Sequence, residues 1–250
     1  MLRSFALLTA LAVASVSQAA ITYDDDVTPD VIFGSGNLNG GYTIDRDNGV
    51  EIGLRGKLRH NAAGAPENTF NSNGDGTYTF KSGVAPTQSY PTAEWSFEWA
   101  INTDYEGTTG TKLDDLTYEL SITGPGVAPV AFDPINDINP GNGMLLWDHS
   151  MGDNLTGNGA GIEAADAIEY ATNIADLNVA QQSWKPHWIV PGFNPELNGE
   201  YTISLTASDL LGQVASSTIV INAVPEPGSI ALMGLAGLFG SAVYLRRRWA

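Results

Sequence analysis

Several groups of residues in this chain have types and spacings that could do chemistry. The run Asn71-Ser72-Asn73-Gly74-Asp75-Gly76 puts side-chain oxygens at its first, third and fifth positions, then a glycine. That spacing suits a loop wrapping a hard cation such as Ca²⁺. Asn71, Asn73 and Asp75 are therefore candidate ligands. Two departures weigh against them. The first position is Asn rather than Asp, and Ser82 stands where a bidentate Glu would close the loop. The same residue types also suit a glycine-rich turn into a strand. Asp24-Asp25-Asp26 gathers charge as well, but a charge run beside a chain end is most simply solvated.

Glu94 and Glu98 lie four apart on one strand face, about 13 Å apart at strand rise. Glycoside hydrolysis needs two carboxyl groups about 5 to 9.5 Å apart. The pair alone does not fit, and two solvated carboxylates opposite an aromatic stripe are expected. Trp147-Asp148-His149-Ser150 sets Asp, His and Ser side by side. Neighbours on an extended chain point to opposite faces, whereas triad members must converge. No Gly-x-Ser-x-Gly elbow presents a nucleophile. His60, His149 and His187 are the only histidines, and no His-Glu-x-x-His spacing occurs. Loop or core roles are expected for them. Trp95 and Trp99 share a face with Phe97 and Ile101, so they read as core. Trp184 and Trp188 flank Lys185-Pro186-His187, a loop-like stretch. They are the candidate glycan contacts, since aromatic faces stack on sugar rings.

Composition narrows the choices. The 250 residues contain no cysteine, which excludes a disulfide framework, a thiolate metal site and a cysteine nucleophile. The net charge is −17. Between residues 20 and 223, seven basic residues face 27 acidic ones, a net −20. Nucleic acid is not expected as a partner, because phosphate binding needs a basic face. Solubility through self-repulsion is the simplest use of the charge.

Both chain ends read as targeting segments. Arg3 precedes the apolar stretch Phe5 to Val16, and small residues at Ser17 and Ala19 suit cleavage between Ala19 and Ala20. Residues 1–19 thus read as a secretory signal. At the other end, Val224-Pro225-Glu226-Pro227-Gly228 leads into an apolar run from Ser229 to Leu245, then Arg246-Arg247-Arg248. The prolines mark a boundary. The run, as a helix, spans about 25 Å, just enough to cross a bilayer core. Basic residues at both ends keep both ends inside and leave residues 20–223 exported. This order of Val-Pro-Glu-Pro, apolar helix and arginine cluster resembles the PEP-CTERM sorting signal over residues 224–250. The resemblance implies processing near Pro225, Glu226 and Pro227 by an exosortase, transient residence in the inner membrane and then delivery to the cell surface or medium. It also implies bacteria that make exopolysaccharide. Similar tails carry the label of an ice-binding protein C-terminal domain, which describes the tail alone.

The exported middle reads as mainly β. Val50 to Arg59, Glu94 to Asn102 and Leu116 to Thr123 alternate with period two, and Thr77 to Lys81 is a short Tyr/Thr/Phe strand. Tyr201, Ile203 and Leu205 alternate before Asp209-Leu210-Leu211-Gly212, and alternation resumes through Thr218 to Asn222. That pair resembles the closing hairpin of immunoglobulin-like bacterial surface domains. One helix is expected from Ile162 to about Asn173, and Asp133 to Gly143 is expected as a long loop. The expected fold is an antiparallel β-sandwich, immunoglobulin-like or jelly-roll, with one short helical insertion and the C-terminal transmembrane helix. The expected function is non-enzymatic, in the surface or biofilm matrix, with polysaccharide binding or a structural role. A secreted glycan hydrolase is the alternative.

Overall fold

The computed structural model describes residues 20–137 and 148–225. The signal segment with Ala19, the end of the Asp133–Gly143 loop, Trp147, Glu226, Pro227, the apolar run 229–245 and Arg246 to Arg248 lie outside the described residues. In chain order the elements are β1 (Thr22–Asp25), β2 (Tyr42–Asp47), β3 (Val50–Leu58), β4 (Thr77–Lys81), β5 (Trp95–Asn102), β6 (Thr117–Thr123), β7 (Val130–Phe132), β8 (Ser150–Gly152), α1 (Ala167–Asp176), β9 (Val179–Trp184), α2 (Pro186–Ile189), β10 (Gly199–Asp209) and β11 (Gly212–Val224). Among the described residues no helix is long and apolar enough to cross a membrane.

The expectation of a mainly β domain with few helices holds. The strands form a six-stranded sheet in the order β1-β2-β3-β5-β9-β8 and a five-stranded sheet in the order β4-β11-β10-β6-β7. The second sheet departs from the all-antiparallel expectation. Its β4 runs parallel to β11, with Thr77 opposite Val220 and Lys81 opposite Val224. The hairpin β10–β11 turns where expected. Asp209 Oδ1 accepts the backbone N–H groups of Leu211 and Gly212 at 2.7 and 3.0 Å, closing the turn from its own side chain. The helix begins later than expected, because Asp166 caps it. Its Oδ1 accepts from the N–H groups of Ile168 and Glu169, and Ile162 instead bridges to Met151.

The two sheets share one core. Ile52 and Leu54 of β3, Trp95, Phe97, Trp99 and Ile101 of β5, and Trp184 of β9 meet Ile203 and Leu205 of β10 and Ile219 and Ile221 of β11. Gly56 lets the sheets approach closely. A methyl group there would stand 2.8 Å from both Ile221 and Phe80. Each fully buried apolar side chain here contributes about 1.5–3 kcal/mol of transfer free energy.

The six-stranded sheet is covered on its other face as well. Every residue of β5 is buried, and so is every residue of β3 except Leu58. The alternation of β5 predicts a solvated face carrying Glu98, and the structure corrects this. Glu98 is fully buried. Its Oε2 lies 2.5 Å from Arg55 Nη2 and accepts from Arg55 Nε at 2.6 Å, while Lys57 Nζ stands 3.5 Å from Oε1. The Arg55 guanidinium lies between the rings of Tyr42 and Phe70, 4.2 and 4.1 Å from their centroids.

The cover is the segment from Asp26 to Gly41. It has little secondary structure, and its backbone is tied down by side chains of the sheet. Arg55 Nη1 donates to the carbonyls of Leu38 and Gly40 at 2.9 and 2.5 Å. Glu51 Oε1 accepts from Thr28 N–H at 2.7 Å, and Asn102 Nδ2 donates to the Thr28 carbonyl. Gln181 takes Ile32 N–H and gives a hydrogen bond to the Asp30 carbonyl. Lys57 Nζ donates to Asn37 Oδ1. Val27, Val31 and Phe33 of the strap then pack with Tyr42, Ile44 and Ala100 in a second, smaller core. Burial pushes the Glu51 carboxyl up, against the Thr28 N–H and the Arg46 guanidinium that favour its charged form. Burial likewise lowers the Lys57 ammonium.

Glu98→Ala would leave Arg55 and Lys57 buried without their counter-charge. The expected cost is about 3–5 kcal/mol, read as a lower urea midpoint. A loss under about 1 kcal/mol would show that water reaches the pair.

Candidate functional site

The place where function meets the fold is the end of β11. This strand is hydrogen-bonded on both sides, antiparallel to β10 and parallel to β4. Its last residue, Val224, is also the first residue of the Val-Pro-Glu-Pro sequence. The Val224 carbonyl accepts from Ser82 N–H at 2.8 Å and from Ser82 Oγ at 3.2 Å. Pro225 follows directly and is the last described residue. The sorting sequence therefore starts on the fold itself, with no spacer.

A groove of about 490 Å³ opens beside this junction, lined in part by Leu58, Asn61, Glu67, Lys81, Glu94 and Val224. Its carboxylates are engaged. Glu94 Oε1 accepts from Lys81 N–H at 2.6 Å, and Glu67 Oε1 accepts from Asn61 Nδ2 at 2.5 Å. The two glutamates expected to face solvent together are thus separated. Glu98 lies inside the sheet's covered face, and Glu94 lies at its end.

The candidate cation loop forms the turn that feeds β4. Ser72 bridges to Tyr78, and Asn71 O accepts from Thr79 N–H. Asn73 Nδ2 donates to Thr77 Oγ1 and Thr79 Oγ1 at 2.7 and 3.1 Å. Asp75 Oδ1 accepts from both the N–H and the Oγ1 of Thr77. The Asn73 amide and this Asp75 oxygen serve the turn. Among the described residues no group of three or more His, Asp or Glu side chains converges as a metal site would.

Asp24-Asp25-Asp26 is not simply solvated. Asp25 pairs with Arg46 at 2.7 Å, and Arg46 Nη2 donates to the Asp26 carbonyl. His149 and Ser150 are buried. His149 Nε2 lies 2.6 Å from the Pro134 carbonyl, and its ring stands edge-on to Trp99 at 4.9 Å. Asp148 is 3.8 Å away and largely in solvent. His60 is buried with Nδ1 3.1 Å from the Gly64 carbonyl.

Of the two candidate glycan tryptophans, the structure corrects one. Trp184 is buried among Phe97, Trp99, Phe132 and His149. It ends β9, a strand whose sequence VAQQSW gives weak alternation. Its inward direction follows from pairing with Phe97. Trp188, on α2, is 43% exposed, with Lys185 Nζ 5.1 Å from its ring centroid.

These placements separate two substitutions. Trp184→Ala should cost about 3–5 kcal/mol of stability, whereas Trp188→Ala should stay within about 0.5 kcal/mol. Thermal unfolding of both variants reads the difference. His149 gives a pH dependence. Burial lowers its imidazole to about 4, below its ordinary value near 6.5. Between those values the unfolded chain binds the extra proton, so stability falls as pH falls, by on the order of 3 kcal/mol. Glu51 and Asp45, whose carboxyls burial raises, bind protons first in the folded state and offset part of it. Urea midpoints from pH 6.5 to 4 should therefore drop less for His149→Gln than for the unmodified chain.

No curated protein and no solved structure matches the chain significantly. One family does, and only at the junction just described. Residues 223–248 match the PEP-CTERM protein-sorting motif, so the chain carries the tail of an exported protein that an exosortase sorts and processes after transient membrane anchoring.

Proposed function

We propose that this is a non-enzymatic component of the cell surface or extracellular matrix, with the two packed sheets acting as a β-sandwich that the tail delivers. One observation carries the reading. The sorting motif is joined without a spacer to β11, a strand paired on both sides, so the delivered object is the whole folded domain. The two carboxylates tested above against glycoside hydrolysis support the same reading. Glu98 is enclosed with Arg55 and Lys57, and Glu94 accepts from the Lys81 N–H. These are groups that hold the fold. The acidic surface favours solubility outside the cell, where the domain contributes structure or contacts exopolysaccharide.

Fractionation of the native host tests the delivery. The expected result is domain lacking the region after Pro225-Glu226-Pro227, recovered from the surface or medium. Replacing those three residues by alanine should hold full-length chain in the inner membrane. Unprocessed chain in that membrane at steady state, with the motif intact, would overturn the reading.

A further inference from the structure

The seven basic residues of the exported middle divide by position. Arg46, Arg55 and Lys57 are paired with carboxylates on the covered face of the six-stranded sheet. Lys112 precedes a single 3₁₀ turn, Leu113–Asp115. Arg59, Lys81 and Lys185 gather at one pole of the domain, the pole from which the tail departs. The strand registers place them there. Leu58 pairs with Trp95, Phe97 with Trp184, and Lys81 with Val224, and Leu58, Lys81 and Val224 line one groove.

Arg59, His60, Lys185, His187 and Trp188 form the part of this pole on the side of the six-stranded sheet. The Arg59 and His60 N–H groups both donate to the Glu94 carbonyl, which fixes them beside the start of β5. His60 is 6% exposed, and its Nε2 has no protein partner. Lys185 lies against the half-exposed ring of Trp188. Burial comes first in lowering Lys185, His60 and His187. The other positive groups of the cluster lower them further, Arg59 acting on Lys185 and His60, Lys185 on both histidines, and His60 on His187. Acidic groups share this pole. Glu67 and Glu94 line the groove next to Arg59, where Glu94 Oε1 accepts from Lys81 N–H and Glu67 Oε1 from Asn61 Nδ2, and Glu200 stands near the start of β10.

The distance to the membrane is set by chain length. Between Val224 and the apolar run beginning at Ser229 stand only Pro225, Glu226, Pro227 and Gly228. Four residues reach at most about 14 Å. That reach is an upper bound, so the linker holds this pole where it can come within the Debye length of about 8 Å at physiological salt, inside which a lipid surface acts on its charges. The opposite pole, with the exposed Leu210 and Leu211 at the β10–β11 turn, is about 40 Å further along β11. An exposed indole beside an ammonium is the pairing that suits the headgroup layer.

We propose that the Arg59, Lys185 and Trp188 face rests on an anionic phospholipid surface while the tail is embedded. The inference rests on the reading of the tail as a transient anchor. This face offsets locally the repulsion between an acidic domain and an anionic membrane, and it fixes which pole faces the bilayer.

The absence of native cysteine allows a clean test. The full chain carries one introduced cysteine, Ala62→Cys beside the patch or Leu211→Cys at the far pole, each spin-labelled. Each is reconstituted in phosphatidylcholine vesicles, with or without about one third phosphatidylglycerol. At about 1 kcal/mol for each basic group near an anionic surface, protection of the Ala62→Cys label from a water-soluble relaxation agent should rise at least about fivefold with the anionic lipid. The Leu211→Cys label should not respond. Arg59→Glu with Lys185→Glu should remove the effect, and Arg59→Gln with Lys185→Gln should reduce it. Equal protection in both vesicles, or protection indifferent to these changes, would overturn the proposal. So would protection by soluble polygalacturonate regardless of lipid, which would assign the patch to an acidic glycan. Flotation through alkaline carbonate separates the two readings. A chain that fails to float removes the anchor and this proposal with it, whereas a floating chain with an unprotected label removes this proposal alone.

Discussion

The fold depends on the buried ion pair that Glu98 makes with Arg55 and Lys57. A carboxylate that deep costs several kcal/mol to desolvate unless its partners are close and well oriented. Here Arg55 takes one oxygen through two nitrogens and Lys57 approaches the other. Two cations against one carboxylate would leave excess positive charge in the interior. The strap offsets it with neutral oxygens, the carbonyls of Leu38 and Gly40, which accept from Arg55 Nη1, and the amide oxygen of Asn37, which accepts from Lys57 Nζ. The strap is thus held by the same cluster it shields from water. Removing either half exposes the other, and this reciprocity makes the covered face of the sheet cooperative.

That arrangement explains how a chain segment with almost no secondary structure can be a firm layer of the fold. Loops seldom lie buried, because their backbone groups go unpaired. Between Asp26 and Gly41 the sheet supplies partners from its side chains. Glu51, Asn102 and Gln181 serve Thr28, Asp30 and Ile32 one after another along the strap. The strap also follows β1, the edge strand, so the covered face and the edge are stabilised by one continuous stretch of chain. On the five-stranded sheet the corresponding task falls to side-chain pairs across the hairpin. Ser204 meets Thr218 and Thr206 meets Ser216, each at 2.8 Å.

Much of the inner core was legible from period-two alternation. Trp95, Phe97, Trp99 and Ile101 point inward as their spacing requires, and β4 and the β10–β11 hairpin sit where residue types place them. What escaped has a common cause. Alternation locates one buried face and says nothing about whether the other is wet. Glu98 therefore read as solvated, although Glu51, Arg55 and Lys57 at two- and four-residue spacings on β3 were a signal that two central strands carry complementary charges on the same side. Strands β1 and β9 lack strong alternation because their sequences, TYDD and VAQQSW, are polar in part. They are recruited by pairing rather than by propensity. Trp184 was misassigned for that reason. Its burial is decided by β5, its neighbour in the sheet and not in the sequence. The sorting motif was legible, because its recognition rests on a local order of residues that needs no tertiary partner.

The two halves of the molecule's electrostatics follow from one scarcity. Of the seven basic residues available, three are taken up on the covered face together with the carboxylates of Glu51 and Glu98, which leaves few cations for the outer surface. Arg46, Arg55 and Lys57 are withdrawn in this way, and Lys112 stands apart from the tail. The remaining cations, Arg59, Lys81 and Lys185, all lie at the pole from which the tail departs. The position of Arg59 and Lys185 is not an accident of surface composition, since the ends of β3 and β9 carry them, and both strands are fixed by pairing with β5. The same pairing that closes the core therefore turns the positive residues toward the pole from which β11 leaves the domain. Core geometry and the position of the positive residues are set together, by strands whose shared neighbour β5 carries the buried Glu98.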